Sequence, residues 1–95
     1  MPYVISHFFP SGTAEQYEAA MRAMNGELGR IPAGQIAHVA GPVRGGFQVI
    51  AIQESKESWD RFMTEVFAPV MGRGIEGSFT APPTELEFEA THFYR

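Results

Sequence analysis

The stretch that constrains the fold most strongly is QIAHVAGPVRGGFQVIAIQE, residues 35–54. It contains two runs rich in apolar and β-branched side chains, Gln35–Val43 and Gly46–Glu54, and each run predicts a strand. Residues 41–46 lie between the two runs, and the pair Gly45-Gly46 can supply the positive φ of a tight turn. We therefore expect a β-hairpin in the middle of the chain.

A strand and a helix precede this hairpin. Residues 3–9, YVISHFF, are dense in β-branched and aromatic side chains and predict a strand, which the following Pro-Ser-Gly breaks. Thr13 and Gln16 have the spacing of a capping box. Apolar residues then recur at helical spacing, which predicts a helix over residues 14–28 that ends near Gly29.

A second helix and a last strand follow the hairpin. Ser55 is predicted to cap this helix, whose apolar side chains recur at helical spacing: Trp59, Phe62, Met63, Val66, Phe67 and Val70. A proline does not fit inside a regular helix, so we expect a kink or a break at Pro69. Residues 72–84 predict an ordered but irregular loop, and Glu85–Tyr94 predicts the last strand.

The predicted order of elements is β-α-β-β-α-β. Right-handed crossovers within one sheet place the first and third strands at the centre and the second and fourth at the edges. We therefore predict an α+β protein with a ferredoxin-like fold, in which two helices cover one face of a four-stranded antiparallel sheet. A length of 95 residues predicts a single domain over residues 1–95.

The composition argues against several classes of function. The chain has no cysteine, which excludes disulfide scaffolds, thiolate metal sites and thiol nucleophiles. A net charge of −4 argues against nucleic acid or an anionic membrane as the main partner. No stretch approaches the roughly 18 apolar residues of a membrane span, and Met1-Pro2-Tyr3 does not begin like a signal peptide. We expect a cytoplasmic protein with neither a nucleic-acid nor a membrane partner.

RNA-recognition modules share this order of elements, but their third strand carries spaced aromatic residues for base stacking. Here Phe47 is followed by Gln48, Val49 and Ile50, so the third strand lacks that pattern. RNA binding is therefore not expected.

Both central strands are predicted to have two apolar faces. In the first, Tyr3, Ile5 and Phe9 alternate with Val4 and Phe8. The third strand alternates in the same way, with Phe47, Val49 and Ala51 on one face and Ile50 and Ile52 on the other. Two helices can cover only one face, and a face left in water should be polar. We therefore predict a homodimer in which two sheets pack face to face.

Local motifs in residues 38–69 resemble the dimeric α/β-barrel superfamily, and they are HVAGP (38–42), GGF (45–47), QES (53–55), WDRF (59–62) and FAP (67–69). The chain is most similar to short bacterial members of unassigned function near the antibiotic-biosynthesis monooxygenase-like group. This resemblance implies ferredoxin-like subunits whose sheets pair into a barrel. It also implies cofactor-independent monooxygenation as a candidate activity, although the superfamily includes isomerases, decarboxylases and haem enzymes as well.

Only three side chains titrate near neutrality, and they are His7, His38 and His92. Aligning the strand centres places His7 and His38 at the same height, about 10 Å apart on either side of Ala51. His92 falls near the opposite end of the sheet in this register. The arrangement does not favour a three-histidine metal site, and we predict neither a metal nor another cofactor.

The predicted ligand-binding residues surround the short side chain of Ala51. His7 and His38 are candidates for polar contacts or for a catalytic base, while Phe9 and Phe47 could line an apolar cavity for an aromatic or polyketide-like ligand. The alternative for each histidine is a structural role, hydrogen-bonded to backbone or water. For the two phenylalanines the alternative is core packing.

Other side chains have weaker claims to a site. Tyr94 could also line an apolar cavity, and Trp59 is predicted to pack against the sheet. Glu85, Glu87 and Glu89 alternate with apolar residues, so they share one face of an edge strand. We interpret them as a solvated face that discourages edge pairing, with a cation site as the alternative.

Three functions fit these observations. The favoured one is a homodimer that binds a small apolar or aromatic organic molecule. The second is a cofactor-independent monooxygenase acting on an electron-rich substrate, with His7 or His38 as the proton acceptor. The third is a structural or interaction module that has no pocket at all.

Overall fold

The computed structural model describes residues 1–28 and 34–95 and has the predicted ferredoxin-like α+β fold. Its elements, in chain order, are β1 (Tyr3–Pro10), α1 (Ala14–Leu28), β2 (Gln35–Val43), β3 (Gly46–Gln53), α2 (Lys56–Phe62), a π-helical segment (Met63–Phe67), α3 (Ala68–Gly72) and β4 (Thr84–Glu89). The bounds of α1 and β2 agree with the prediction. Gly29, which was expected to end α1, lies outside the described residues.

The four strands form one antiparallel sheet in the predicted order β2-β3-β1-β4. β1 is therefore a central strand, hydrogen-bonded to β3 on one side and to β4 on the other. The helices cover one face of the sheet, and Trp59 of α2 packs there on Tyr3 and Ile5 of β1. The prediction that Trp59 packs against the sheet is confirmed.

Both helices begin at the predicted capping residues. The Thr13 hydroxyl accepts a hydrogen bond from the Gln16 backbone N–H at 3.2 Å, and the Gln16 side chain accepts one from the Thr13 N–H at 3.0 Å. This reciprocal pair is the capping box expected from the sequence. The Ser55 hydroxyl likewise accepts a hydrogen bond from the backbone N–H of Ser58 at 3.1 Å.

The interruption of the second helix lies before Pro69, not at it. The backbone widens over Met63–Phe67, where the N–H of Ala68 bonds to the carbonyl of Met63, five residues earlier. Pro69 has no N–H, and its ring needs room beside the carbonyl of Glu65, four residues earlier. A π-helical turn provides that room, so the helix continues through the proline as α3.

The turn between β2 and β3 contains the predicted Gly45 and Gly46, but only Gly45 has the predicted positive φ among these two described residues. Gly45 has a φ of 86°, whereas Gly46 is not among the described residues with positive φ. Gly46 is required for another reason, because a Cβ there would collide with the carbonyl oxygen of Phe9. The hairpin tip is also tied to the end of β1 by a 2.7 Å hydrogen bond from the Ser11 N–H to the Gly45 carbonyl.

The predicted extent of the last strand, Glu85–Tyr94, is wrong at its C-terminal end. β4 ends at Glu89, which pairs with Tyr3 at the beginning of β1. The next N–H, of Ala90, still bonds to the carbonyl of Pro2 at 2.8 Å. Pro2 has no N–H to return, so the ladder stops here and the last residues leave the sheet.

The second face of the sheet, called the outer face below, carries Val4, Phe8, Ile50 and Ile52 of the central strands, as predicted, and the edge strands add further apolar side chains to it. Leu86 and Phe88 of β4 are 62% and 49% exposed, and Val39 of β2 is 60% exposed. Its two central polar side chains satisfy each other, because the Gln48 amide donates to the Ser6 hydroxyl at 2.7 Å. Among the described residues, no helix has the length and hydrophobicity needed to cross a membrane.

Candidate functional site

A cavity of about 620 Å³ lies between the covered face of the sheet and the helices. Its walls come from all four strands, from α1, from α2 and its π-helical extension, and from the loop that precedes β4. Four of the five predicted ligand-binding residues, His7, Phe9, His38 and Ala51, are on these walls. The structure therefore places these four residues around one cavity, and their role in ligand binding stays a prediction.

The predicted register of the two histidines is wrong by two residues. His38 does lie beside Ala51 of β3, but the residue beside His7 is Val49. Both β1 and β2 run antiparallel to β3, and His7 follows the middle of its strand whereas His38 precedes the middle of its own. The two histidines are therefore offset by about 7 Å along the strands and by about 10 Å across them. Each histidine consequently has its own surroundings.

His38 forms a part-buried polar pair with Tyr17 of α1. The phenolic oxygen of Tyr17 lies 2.7 Å from Nε2 of His38, and Nδ1 of His38 is buried without a partner in the described part of the chain. Burial lowers the pKa of His38 below 6.5 and raises the pKa of Tyr17 above 10.0. At neutral pH the imidazole is therefore uncharged and the phenol keeps its proton.

His7 is the more deeply buried histidine, with only 7% of its surface exposed. The rings of Phe9 and Trp59 approach it edge-on, each at 6.2 Å between ring centres. Removal from water lowers the pKa of His7, and the carboxylates of Glu85 and Glu87 oppose this effect only in part. The Nε2 atom of His7 is buried without a hydrogen-bond partner among the described residues, and the nearest carboxylate oxygen, on Glu85, is 4.0 Å away.

Aromatic rings form much of the remaining wall. Phe79, from the loop before β4, stacks on Phe9 with 3.7 Å between the ring centres and 9° between the planes. On the other side of the cavity, the ring centre of Phe62 lies 5.6 Å from that of Trp59 and 6.3 Å from that of Phe67. Flat apolar walls of this kind suit a planar aromatic ligand, because ring stacking adds to the burial of apolar surface.

Three of the candidates from the sequence lie elsewhere. Phe47 is buried behind the wall, where it contacts the rings of Tyr17 and Phe79 at 5.2 and 6.2 Å. Tyr94 lies beyond the end of β4 and is 85% exposed, so the interpretation that it could line an apolar cavity is wrong. His92 is also exposed beyond β4, with its Nδ1 atom 2.8 Å from the Thr91 hydroxyl.

Sequence reasoning missed several residues of the wall. Tyr17 is one of the residues at helical spacing that predict α1, and no pattern in the chain indicates its contact with His38. Phe79 lies in a loop that the sequence predicts only as irregular. The side of β4 that carries Glu85 was predicted to be a solvated face, and its glutamates are indeed exposed, but the prediction did not place Glu85 next to His7 at the wall of the cavity. Glu85 alternates with Leu86, so the two side chains lie on opposite faces of β4. Combined with the strand order, this alternation could have placed Glu85 on the covered face.

The chain is similar to known proteins in its structure. No protein-family model matches the sequence, and no curated protein matches it either. Among solved structures, SnoaB from Streptomyces nogalater, a cofactor-independent oxygenase, has a TM-score of 0.64 at 16% identity and covers 97% of this chain and 94% of its own.

Two further solved structures cover almost the whole chain. A protein from Chloroflexus aurantiacus J-10-fl, named as an antibiotic biosynthesis monooxygenase, has a TM-score of 0.67 at 13% identity and covers 100% of this chain and 98% of its own. A MhuD variant with two manganese protoporphyrin IX molecules per active site has a TM-score of 0.64 at 18% identity. It covers 100% of this chain and 99% of its own. The resemblance inferred from the sequence is confirmed at the level of the fold.

We expect His38 to make the stability of the protein sensitive to acid. Because burial holds its pKa below 6.5, the unfolded chain binds a proton more readily than the folded chain as the pH falls below 6.5. The contribution of His38 is therefore fully present above pH 6.5 and is lost as the pH falls through its folded-state pKa. His38→Gln keeps a polar group near Tyr17 and removes the titration, so urea unfolding from pH 8 to pH 5 should show a smaller acid-induced loss than in the wild type.

The matched control is His92→Gln, which removes an exposed imidazole. The acid-induced loss should shrink more in His38→Gln than in this control. If the free-energy difference between wild type and His38→Gln is the same at every pH, the lowered pKa of His38 is refuted.

Proposed function

We propose that this chain binds a small, planar aromatic molecule carrying a hydroxyl group, in the cavity between the helices and the sheet. The observation that carries this proposal is the cavity itself. Its volume of about 620 Å³ lies within the range of roughly 300–1,000 Å³ that small-molecule sites occupy. A structural module without ligand would fill this space with its own side chains.

The polar atoms of the wall favour a hydroxyl on the ligand. A neutral imidazole has one nitrogen that donates and one that accepts, and Nε2 of His38 is engaged by Tyr17. The remaining atom, Nδ1, is buried without a partner among the described residues, which is costly unless a ligand or a water supplies one. A ligand hydroxyl can both donate and accept, so it complements either tautomer of His38.

The first test compares 2-naphthol with naphthalene, which has the same rings and no hydroxyl. We expect the wild type to bind 2-naphthol about 2- to 10-fold more tightly, because one hydrogen bond contributes roughly 0.5–1.5 kcal/mol. His38→Phe keeps a ring at this position and removes both nitrogens, so it should bind the two compounds equally. Equilibrium dialysis measures all four dissociation constants.

His92→Phe is the control for this comparison, since it makes the same change at an exposed position outside the cavity. It should keep the wild-type preference for 2-naphthol. A preference that survives in His38→Phe would contradict the assigned role of His38, and failure of the wild type to bind either compound would contradict the proposed function.

A second candidate function is cofactor-independent monooxygenation, which the neutral His38 favours. With its hydrogen on Nε2, donated to the Tyr17 oxygen, His38 would have a free lone pair on Nδ1 that accepts a proton from an acidic C–H or O–H of the ligand. The resulting carbanion or phenolate is the electron donor to dioxygen.

The reaction balances without any further reductant. When the oxidised group is a methylene between two aromatic rings, both of its C–H bonds break and a carbonyl group forms with one atom of dioxygen. The other oxygen atom leaves as water together with the two hydrogens. The substrate therefore supplies all four electrons that dioxygen takes up.

This second function is tested with 1,8-dihydroxyanthrone, whose methylene group lies between two aromatic rings. We expect the wild type to consume one dioxygen per anthrone, measured with an oxygen electrode, and to form the quinone without hydrogen peroxide. Loss of a general base typically costs about 10²- to 10⁴-fold in rate, so His38→Phe should fall by about 100-fold or more while His92→Phe does not. A wild-type rate equal to that in buffer would reject the oxygenase and leave ligand binding as the function.

We propose further that the chain is a homodimer through the outer face of the sheet. Leu86, Phe88 and Val39 leave a broad apolar surface on this face, and the Gln48 amide donates a hydrogen bond to the Ser6 hydroxyl within it. Burying one leucine side chain stabilises an interface by about 1.5–3 kcal/mol. A second copy presents an identical apolar face, so two sheets can cover each other.

Leu86→Lys should weaken this dimer by about 10-fold or more, since it removes apolar contact and places a charge in the interface. The side chain is 62% exposed in the single chain, so the substitution should not unfold the subunit. Thr64→Lys makes the same change of charge at an exposed position of the helical layer and should leave the dimer intact. Sedimentation velocity at micromolar concentration measures the effect, and a monomeric wild type would overturn the proposal.

A further inference from the structure

We propose that His7, Glu85 and Glu87 form a binding site for a divalent transition-metal ion at the rim of the cavity. One ligand atom from each of these side chains lies within 4.8 Å of the other two. They form the only such group of three among the described residues. The site involves neither His38 nor Tyr17, so it does not depend on the proposed binding of an aromatic ligand.

The sheet register brings the three side chains together. His7 in β1 pairs directly with Glu85 in β4, and Glu87 is the next residue of β4 on the same face. A strand pair holds such neighbours about 5 Å apart at the backbone. The three ligand atoms therefore converge from two adjacent, hydrogen-bonded strands, which are a more rigid support than a loop.

The buried His7 imidazole is a second, independent indication of a bound ligand. The residue is only 7% exposed, and its Nε2 atom is shielded from water and has no hydrogen-bond partner in the part of the chain that the structure describes. This atom lies 4.0 Å from the nearest Glu85 oxygen, which is too far for a direct hydrogen bond but fits a gap that an ion could bridge. A buried polar atom with no partner is costly, and coordination to a cation would satisfy it.

The surroundings of each ligand suit metal binding. The rings of Phe9 and Trp59 hold the His7 imidazole in place, and imidazole nitrogens are common metal ligands. Glu87 accepts a hydrogen bond from the Tyr3 hydroxyl at 3.0 Å, and this contact orients one of its oxygens. Lys56 is the nearby cation, but its ammonium group is paired with Asp60 at 2.9 Å.

The size of the gap also fits an ion. Ligand atoms at about 2.1 Å from one metal lie roughly 3.0–3.5 Å from each other, so the group must contract by about 1–2 Å to bind. Glu85 and Glu87 are exposed and can make this adjustment by side-chain rotation, while His7 stays fixed. A set of one nitrogen and two carboxylates suits Mn²⁺, Fe²⁺ or Zn²⁺ better than Mg²⁺, which prefers oxygen ligands only.

Three protein ligands leave coordination positions open to water or to another molecule. His7 and Glu85 both line the cavity, so these open positions would face it. The proposed ion would therefore occupy one end of the cavity, on the side of β1 that faces β4, while the Tyr17–His38 pair occupies the other side.

The test is a titration of the purified protein with Mn²⁺, followed by the loss of the electron paramagnetic resonance signal of free Mn²⁺. We expect one ion to bind per chain and the dissociation constant to rise by about 10-fold or more in Glu85→Gln and in Glu87→Gln, the lower end of the loss that follows removal of a metal's supporting groups. Glu89→Gln is the matched control, because it removes the same charge from the same face of the same strand without removing a proposed ligand. Its dissociation constant should stay close to that of the wild type.

Pulsed electron paramagnetic resonance of bound Mn²⁺ gives an independent readout for His7. Coupling to a nitrogen nucleus is expected in the wild type, and it does not require a substitution at this buried position. Equal weakening by all three Glu→Gln variants would mean that the ion follows charge alone and would overturn the site. Absence of nitrogen coupling, or the absence of a stoichiometric Mn²⁺ site in the wild type, would overturn it as well.

Discussion

The alternation of side chains along β1 is the constraint on which the rest of the structure depends. β1 is hydrogen-bonded on both sides, so its register with β3 and β4 decides which residues meet across the sheet. Its odd-numbered residues, from Tyr3 to Phe9, lie on the covered face, and its even-numbered residues lie on the outer face. A slip of one residue would place His7 on the outer face and remove it from the cavity.

The covered face is also where polar groups are least solvated, and this explains the chemistry of the cavity. His7 and His38 lose water on burial, and the pKa of each falls as a result. Their polar neighbours differ, however, because Tyr17 hydrogen-bonds to His38, whereas the polar groups that approach His7 in the described part of the chain are carboxylates at the edge of the sheet. Two similar imidazoles therefore have different uses in the proposals, one with an organic ligand and one with a cation.

The sequence predicts the fold well because local signals and chain topology agree. Alternation in the strands, the capping box at Thr13 and the glycine turn at Gly45 each specify local structure, and right-handed crossovers leave one strand order. Register is harder to obtain from sequence, because β1 and β2 meet only through β3 and a small offset in each strand changes which side chains are level. This offset is why His7 lies beside Val49 and not beside Ala51. Contacts between elements are harder still, since the partner of His38 comes from α1 and the ring that stacks on Phe9 comes from an irregular loop.

β4 contributes side chains to both the proposed dimer interface and the proposed cation site. Its alternation turns Leu86 and Phe88 to the outer face and Glu85 and Glu87 to the face of the cavity. As an edge strand it pairs with β1 and with no other strand among the described residues, so the single chain restrains it on one side. A partner sheet packed against Leu86 and Phe88 would restrain it further and limit the motion of the two carboxylates beside His7. In the proposed arrangement the dimer therefore supports the cation site without contributing a ligand to it, because the two lie on opposite sides of the same strand.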